Sequence, residues 1–107
     1  MPVITVAVLP HSAERGLLRA VADAVAAALG LGSGDVIAMT IPVRASATSG
    51  TPTDHTDDPW MLVSIHGSDR GEEPMREARE AARLAAADWS RTNGGEQGVW
   101  CEWVLPQ

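Results

Sequence analysis

Residues 2–30 read PVITVAVLPHSAERGLLRAVADAVAAALG, and a change of period inside this stretch decides the fold. Through Leu9 the residues are almost all β-branched or small and apolar, as expected for a strand over 2–9 covered on both faces. Pro2 opens that strand, where a missing N–H costs no ladder hydrogen bond. Beyond it, Leu17, Leu18, Val21, Val25, Ala28 and Leu29 recur at helical spacing and form one apolar face, while Arg15, Arg19 and Asp23 fall on another. Ser12 is placed to cap this helix and Gly30 to stop it. After the turn Leu31-Gly32-Ser33-Gly34, residues 35–44 predict a second strand running through Val36-Ile37-Ala38-Met39-Thr40-Ile41. Strand, helix and strand make a βαβ unit with a parallel pair.

The same order then returns. Residues 45–58 (ASATSGTPTDHTDD) have loop composition. A third strand is predicted over 60–66, then a helix with Pro74 in its first turn, where it is tolerated. Glu72 and Glu73 lie toward the positive end of that helix and Arg91 toward its negative end. Met75, Ala78, Ala82, Ala85 and Trp89 mark its inner face, Asn93-Gly94-Gly95 ends it, and Val99–Leu105 is the last strand. Pro59-Trp60-Met61-Leu62-Val63-Ser64-Ile65 lies over Pro2-Val3-Ile4-Thr5-Val6-Ala7-Val8 at a constant offset of 57. The predicted fold is therefore α/β: one domain over 1–107, a duplicated β-α-β with halves 1–44 and 59–107. Its four-stranded sheet carries two helices on one face, a two-layer α+β sandwich. Both faces of the strands are apolar, and two helices cover only one. The second face predicts a homo-oligomer.

The net charge of −6, with eight arginines and no lysine, argues against a nucleic-acid surface, which needs clustered basic residues. A single cysteine, Cys101, excludes an internal disulfide framework and fits a reducing compartment; its plainest role is a small buried strand residue. No basic segment precedes the first apolar run, which is too short for a secretory core or a membrane span, so a cytoplasmic protein without membrane contact is expected. Asp54-His55-Thr56-Asp57-Asp58 has the composition of a metal cluster but no recognised ligand spacing, and reads as solvated linker. No Gly-rich phosphate loop, nucleophile elbow or CxxC pair is present, and no metal or cofactor is expected.

The chemistry sits at the start of the chain. Met1 is normally trimmed before a small residue, and Pro2 would then carry a secondary amine. The strand behind it would pin that amine against the sheet, and desolvation lowers an amine's affinity for its proton. From a chain-end value of about 7.7–8.0, a modest depression yields a general base or nucleophile at neutral pH. With no lysine in the chain, the N-terminus is the only amine for carbonyl chemistry. The ordinary alternative is a proline that merely begins a strand.

An N-terminal proline opening a strand, then a helix and a parallel strand, resembles the tautomerase superfamily. The stretch 2–30 is similar to the first half of 4-oxalocrotonate tautomerase-like proteins. The duplication resembles the longer members, such as malonate semialdehyde decarboxylase and cis-3-chloroacrylic acid dehalogenase, and Ile65-His66-Gly67-Ser68-Asp69-Arg70 resembles a turn of the latter. The resemblance implies a cofactor-independent enzyme, a trimer packed around a central axis, and active sites at subunit boundaries. Pro2 would move a proton between carbon and oxygen of an enol acid, or assist addition of water, while arginines clamp the carboxylate. The sequence departs from the pattern where short members carry Gly-Arg after the first strand: here Leu9-Pro10-His11 stands instead. Glu73 also stands about where a partner of Arg70 would be, and an alanine near Ala28 replaces a helix histidine.

The expected function is thus a keto–enol tautomerase or isomerase acting on a small enol, keto or unsaturated carboxylic acid. Pro2 is the candidate base and Arg70 the candidate clamp, with Glu102, set between Trp100 and Trp103, as a second acid–base group or a paired strand carboxylate. Arg44, closing the second strand, and His11, in the turn, are candidate substrate contacts or surface groups. His66 closes the third strand and either lines the site or is structural. Trp60 and Trp103 are core residues or walls of an apolar pocket. The alternatives are a hydratase or dehalogenase of the same superfamily and a non-enzymatic ferredoxin-like module for ligand binding or assembly. The ferredoxin-like form has an antiparallel sheet, so strand order separates it from the tautomerase-like form.

Overall fold

Four strands and two helices follow one another as β1 (Val3–Val8), α1 (Glu14–Leu29), β2 (Ile37–Pro42), β3 (Trp60–His66), α2 (Glu72–Thr92) and β4 (Gly98–Val104). The computed structural model describes residues 1–50, 60–95 and 97–106. Residues 51–58, with the Asp54–Asp58 cluster, and Pro59 of the internal repeat lie outside the described residues.

The sheet order is β2-β1-β3-β4. β1 runs parallel to β2, β3 runs parallel to β4, and the two halves meet antiparallel through β1 and β3. Each parallel pair is joined by its own helix, as a βαβ crossover requires. Within each half the paired strands are direct neighbours, which decides against the ferredoxin-like alternative.

Strand parity splits the sheet into two faces. Ile4, Val6 and Val8 of β1 and Met61, Val63 and Ile65 of β3 are fully buried beneath the helices. Leu17, Val21 and Val25 of α1 and Ala78, Ala82 and Ala86 of α2 complete that core. Fully burying one such aliphatic side chain is worth about 1.5–3 kcal/mol. The alanines of α2 let it lie close to α1. Here the inner face runs through Ala86 where periodicity predicted Ala85, which is half-buried, because Trp89 and Ser90 set the rotation of the last turns.

The other face is open in the single chain. In register across it lie Ile37, Val3, His66 and Val104; then Met39, Thr5, Ser64 and Glu102; then Ile41, Ala7, Leu62 and Trp100. Trp60 and Trp100 are 59% and 64% exposed, far beyond what a core tryptophan shows.

Three predicted boundaries move. β1 and β2 are shorter than 2–9 and 35–44, since both are bounded by prolines or turn residues, and β4 starts one residue early. α1 begins at Glu14, and Ser12 does not cap it. Ala13 is the N-cap and no side chain caps it; His11 instead braces the turn before the helix, its Nδ1 accepting from the Ala13 N–H at 2.9 Å while its own N–H donates to Glu14 Oε2 at 3.4 Å. α1 ends at Gly30, as its sequence predicts.

Candidate active site at the Pro2 end of the sheet

Parallel and antiparallel pairing bring four chain segments to one end of the sheet. There β1 and β2 begin and β3 and β4 finish, because Val3 lies opposite both Ile37 and His66, and His66 opposite Val104. Pro2 is fully buried at this end, and its carbonyl accepts from the Ile37 N–H at 3.3 Å. The residue leading into β1 is therefore tied to β2.

A cavity of about 120 Å³ opens beside it, lined by Met1, Pro2, Leu31, Asp35 and Arg70. Arg70 comes from the turn between β3 and α2, whose shape is set by two glycines. A side chain at Gly67 would meet the Trp103 ring at 2.9 Å, and Trp103 Nε1 donates to the Gly67 carbonyl at 3.3 Å. Gly71 has φ 89°, a conformation that L side chains rarely adopt, and its N–H is taken by Asp69 Oδ1 at 2.8 Å. Trp103 thus shapes the turn that presents Arg70, rather than walling the cavity.

Arg70 stands apart from the arginines of α2. Arg76, Arg79, Arg83 and Arg91 each pair with a carboxylate of their own helix, Glu73, Glu72, Glu80 and Asp88. The hydrogen bond from Arg83 holds the Glu80 carboxyl below its usual range, on an exposed face where such pairs contribute little. Arg70 has no ion pair among the described residues, and its Nε–H is buried without a hydrogen-bond partner. An unmet donor of this kind costs about 1–3 kcal/mol. It sits beside Pro2.

Asp35 is the cavity's anion, and sequence reasoning passed over it as a functional group. Its N–H donates to the Gly32 carbonyl at 3.2 Å and its Oδ2 accepts from the Gly32 N–H at 2.9 Å, closing the turn before β2. The signal was available in the parallel pairing. The residues leading into β2 lie beside those leading into β1, so an acid just before β2 must fall near the N-terminus.

A second cavity, of about 310 Å³, lies on the other side of Met1, lined by that residue and by His66, Gly67, Ser68, Val104, Leu105 and Pro106. His66 is therefore brought to the Pro2 end, with Nε2 3.5 Å from Thr5 Oγ1. Glu102 lies one row further along the open face and lines neither cavity; its Oε1 accepts from Ser64 Oγ at 2.9 Å, so a hydroxyl partners it. Arg44, His11 and Trp60 lie at the opposite end, roughly 20 Å away along six to seven strand residues. Within one chain they are not brought to Pro2. His11 is engaged with the start of α1 and edge-on to Trp89, ring centroids 5.1 Å apart.

Cys101 is half-buried on the helix side of β4. Burial pushes its thiol up to about 12, with Glu102 and Glu80 adding to the shift and Arg79 and Arg83 opposing it. A thiol so placed stays protonated at neutral pH and is no nucleophile. No cluster of three or more metal-ligating side chains occurs among the described residues, and none of their helices is long and apolar enough to cross a membrane.

No protein-family model matches the sequence, and no curated protein matches it. Solved structures do. A fused 4-OT described as a symmetric trimer is 20% identical, with 96% of this chain and 85% of that one covered at a TM-score of 0.68. Malonate semialdehyde decarboxylase is 16% identical, covering 98% and 84% at 0.70. Macrophage migration inhibitory factor of Toxoplasma gondii is 16% identical, covering 99% and 89% at 0.70. All three are tautomerase-superfamily structures, and the chain has their fold.

Proposed function

We propose that this chain, built on the tautomerase-superfamily fold, is a cofactor-independent tautomerase or isomerase acting on a small enol, keto or unsaturated carboxylic acid, with Pro2 as its general base once Met1 is removed. The observation that carries this reading is the shared cavity: a buried N-terminal proline beside an arginine whose Nε–H lacks a partner. While Met1 is attached, the Pro2 nitrogen is an amide and has no basicity. Freed, it is a secondary amine in a desolvated site, where the neutral form is favoured.

In the proposed reaction Arg70 holds the substrate carboxylate by charge-assisted hydrogen bonds. The Pro2 nitrogen takes the enol hydroxyl proton as the C–O bond becomes a carbonyl. The electron pair of the C=C bond moves to the adjacent carbon, which receives the same proton from the prolinium. Nothing is oxidised or reduced, and the base is regenerated. Asp35, with Oδ2 tied to the turn, faces this cavity and favours one second reading, hydration of an unsaturated acid, in which its carboxylate orients the water.

The open apolar sheet face supports a homo-oligomer, and the symmetric trimer of the fused 4-OT makes three copies the state to test. A reducing, cytoplasmic setting suits the single free thiol.

The test joins an intact mass, which reports Met1 removal, to phenylenolpyruvate ketonisation by wild type and Pro2→Ala. Processed protein that turns over substrate and loses this in Pro2→Ala supports the reading. Complete retention of Met1 in the native host, or equal turnover by both proteins, sinks it.

A further inference from the structure

Met1 is the one residue that lines both cavities at the Pro2 end. The narrow one holds the cation: Arg70, with Asp35 opposite. The wide one is bounded by Val104, Leu105 and Pro106, with His66 as its only titratable side chain. We propose that loss of Met1 joins them into a single two-lobed site that selects a monocarboxylate with an apolar tail over a dicarboxylate. This rests on the proline reading for its catalytic meaning, but the selectivity follows from the lining alone.

Size and charge both enter. The narrow lobe, at about 120 Å³, has room for roughly four waters, enough for a carboxylate and its α-carbon beside Pro2. The wide lobe, at about 310 Å³, exceeds the roughly 150 Å³ that holds a benzene ring in an apolar cavity. A phenyl group or short hydrocarbon chain would displace water from Val104 and Leu105 and gain from that burial. A second carboxylate there finds no arginine among the lining residues. It would give up hydration without a charged partner in that lobe. A missing partner is what makes a site discriminate between otherwise similar ligands.

The test is binding, which needs no turnover. Processed full-length protein is titrated with 3-phenylpropionate and with hexanedioate under the same buffer conditions. The expected result is tighter binding of 3-phenylpropionate by roughly tenfold or more, equivalent to about 1.4 kcal/mol. Leu105→Arg, a change at an exposed position near the chain end, should narrow or reverse that preference by giving the second carboxylate a partner. Equal or tighter binding of hexanedioate by wild type, binding of neither acid, or an unchanged preference in Leu105→Arg would overturn the proposal. Phenylenolpyruvate turnover in wild type and Pro2→Ala judges the proline reading separately. Either conclusion can therefore fail without the other.

Discussion

The two ends of the sheet carry similar residue types and use them differently. At the far end His11 has its ring nitrogen Nδ1 on the Ala13 N–H, its backbone N–H on Glu14 and its ring against Trp89, while Trp89 Nε1 donates to the Ala13 carbonyl at 3.2 Å. At the Pro2 end the Arg70 Nε–H is buried with no partner, and two cavities flank Met1. One histidine is spent on holding α1 against α2; one arginine is left with capacity to spare. Buried polar groups are nearly always satisfied; of the two exceptions among the described residues, Arg70 Nε and Gln97 Oε1, the arginine lines the cavity beside Pro2, and an open donor together with a cavity locates the chemistry better than residue type does.

The largest effect that would break this contrast lies at Pro2. In processed protein Pro2→Ala replaces a ring-constrained secondary amine by a mobile primary one, and the expected loss of kcat is about 10²–10⁴, the usual worth of a positioned base. Next comes Arg70→Ala, which removes the unpaired guanidinium. A hydrogen bond to a charged group is worth about 1.5–3 kcal/mol, so kcat/KM should fall about ten- to a hundredfold, with partial recovery in Arg70→Lys. Steady-state kinetics on phenylenolpyruvate decides both. An Arg70→Ala enzyme as efficient as wild type would show that the open donor has no part in binding.

The elements of this fold are legible because their periods are strong. The run from Val3 to Val8 and the repeat of Leu17, Val21 and Val25 fix β1 and α1 before any contact is known, and the offset between halves predicts the two βαβ units. Proximity across the sheet is harder to read. Arg44 and His11 follow their strands and Arg70 follows another, yet β1 and β3 run antiparallel, so residues with the same place in each half land at opposite ends. Asp35 was missed for the converse reason: it precedes its strand, and only the parallel register of β1 and β2 sets it beside Pro2. For Glu102, a paired carboxylate and an acid–base group both fit the sequence, and the hydroxyl it accepts from, that of Ser64, comes from the neighbouring strand, which spacing along one chain does not announce.

His11→Ala tests the far end. Losing the hydrogen bond from the Ala13 N–H to Nδ1 costs about 0.5–1.5 kcal/mol, and the Trp89 contact adds to it, so Tm should fall by several degrees, about 4–8 °C per kcal/mol for a domain of this size. Thermal unfolding gives the number. Catalytic efficiency should stay within about twofold if the two ends act independently, as additivity between distant sites predicts. A large fall in kcat/KM with little change in Tm would instead mean that His11 of another copy reaches the Pro2 end.

Cys101 gives the smallest effect at neutral pH and sharpens the criterion from the other side, being a nucleophilic residue type in a place without chemistry. Its thiol is pushed from 9.0 up to about 12, chiefly by burial. Below pH 9 the folded and unfolded chains both hold the proton, and the thiol contributes no pH dependence. Between pH 9 and about 12 the unfolded chain releases a proton that the folded chain keeps, so stability must fall as pH rises through this window. Urea midpoints measured across it should decline for wild type and decline less steeply in Cys101→Ala. Thiol labelling at pH 8 should be much slower in native than in urea-unfolded protein. Rapid labelling of the native state would mean that β4 opens readily, and with it the strand whose end lines the wide lobe beside Pro2.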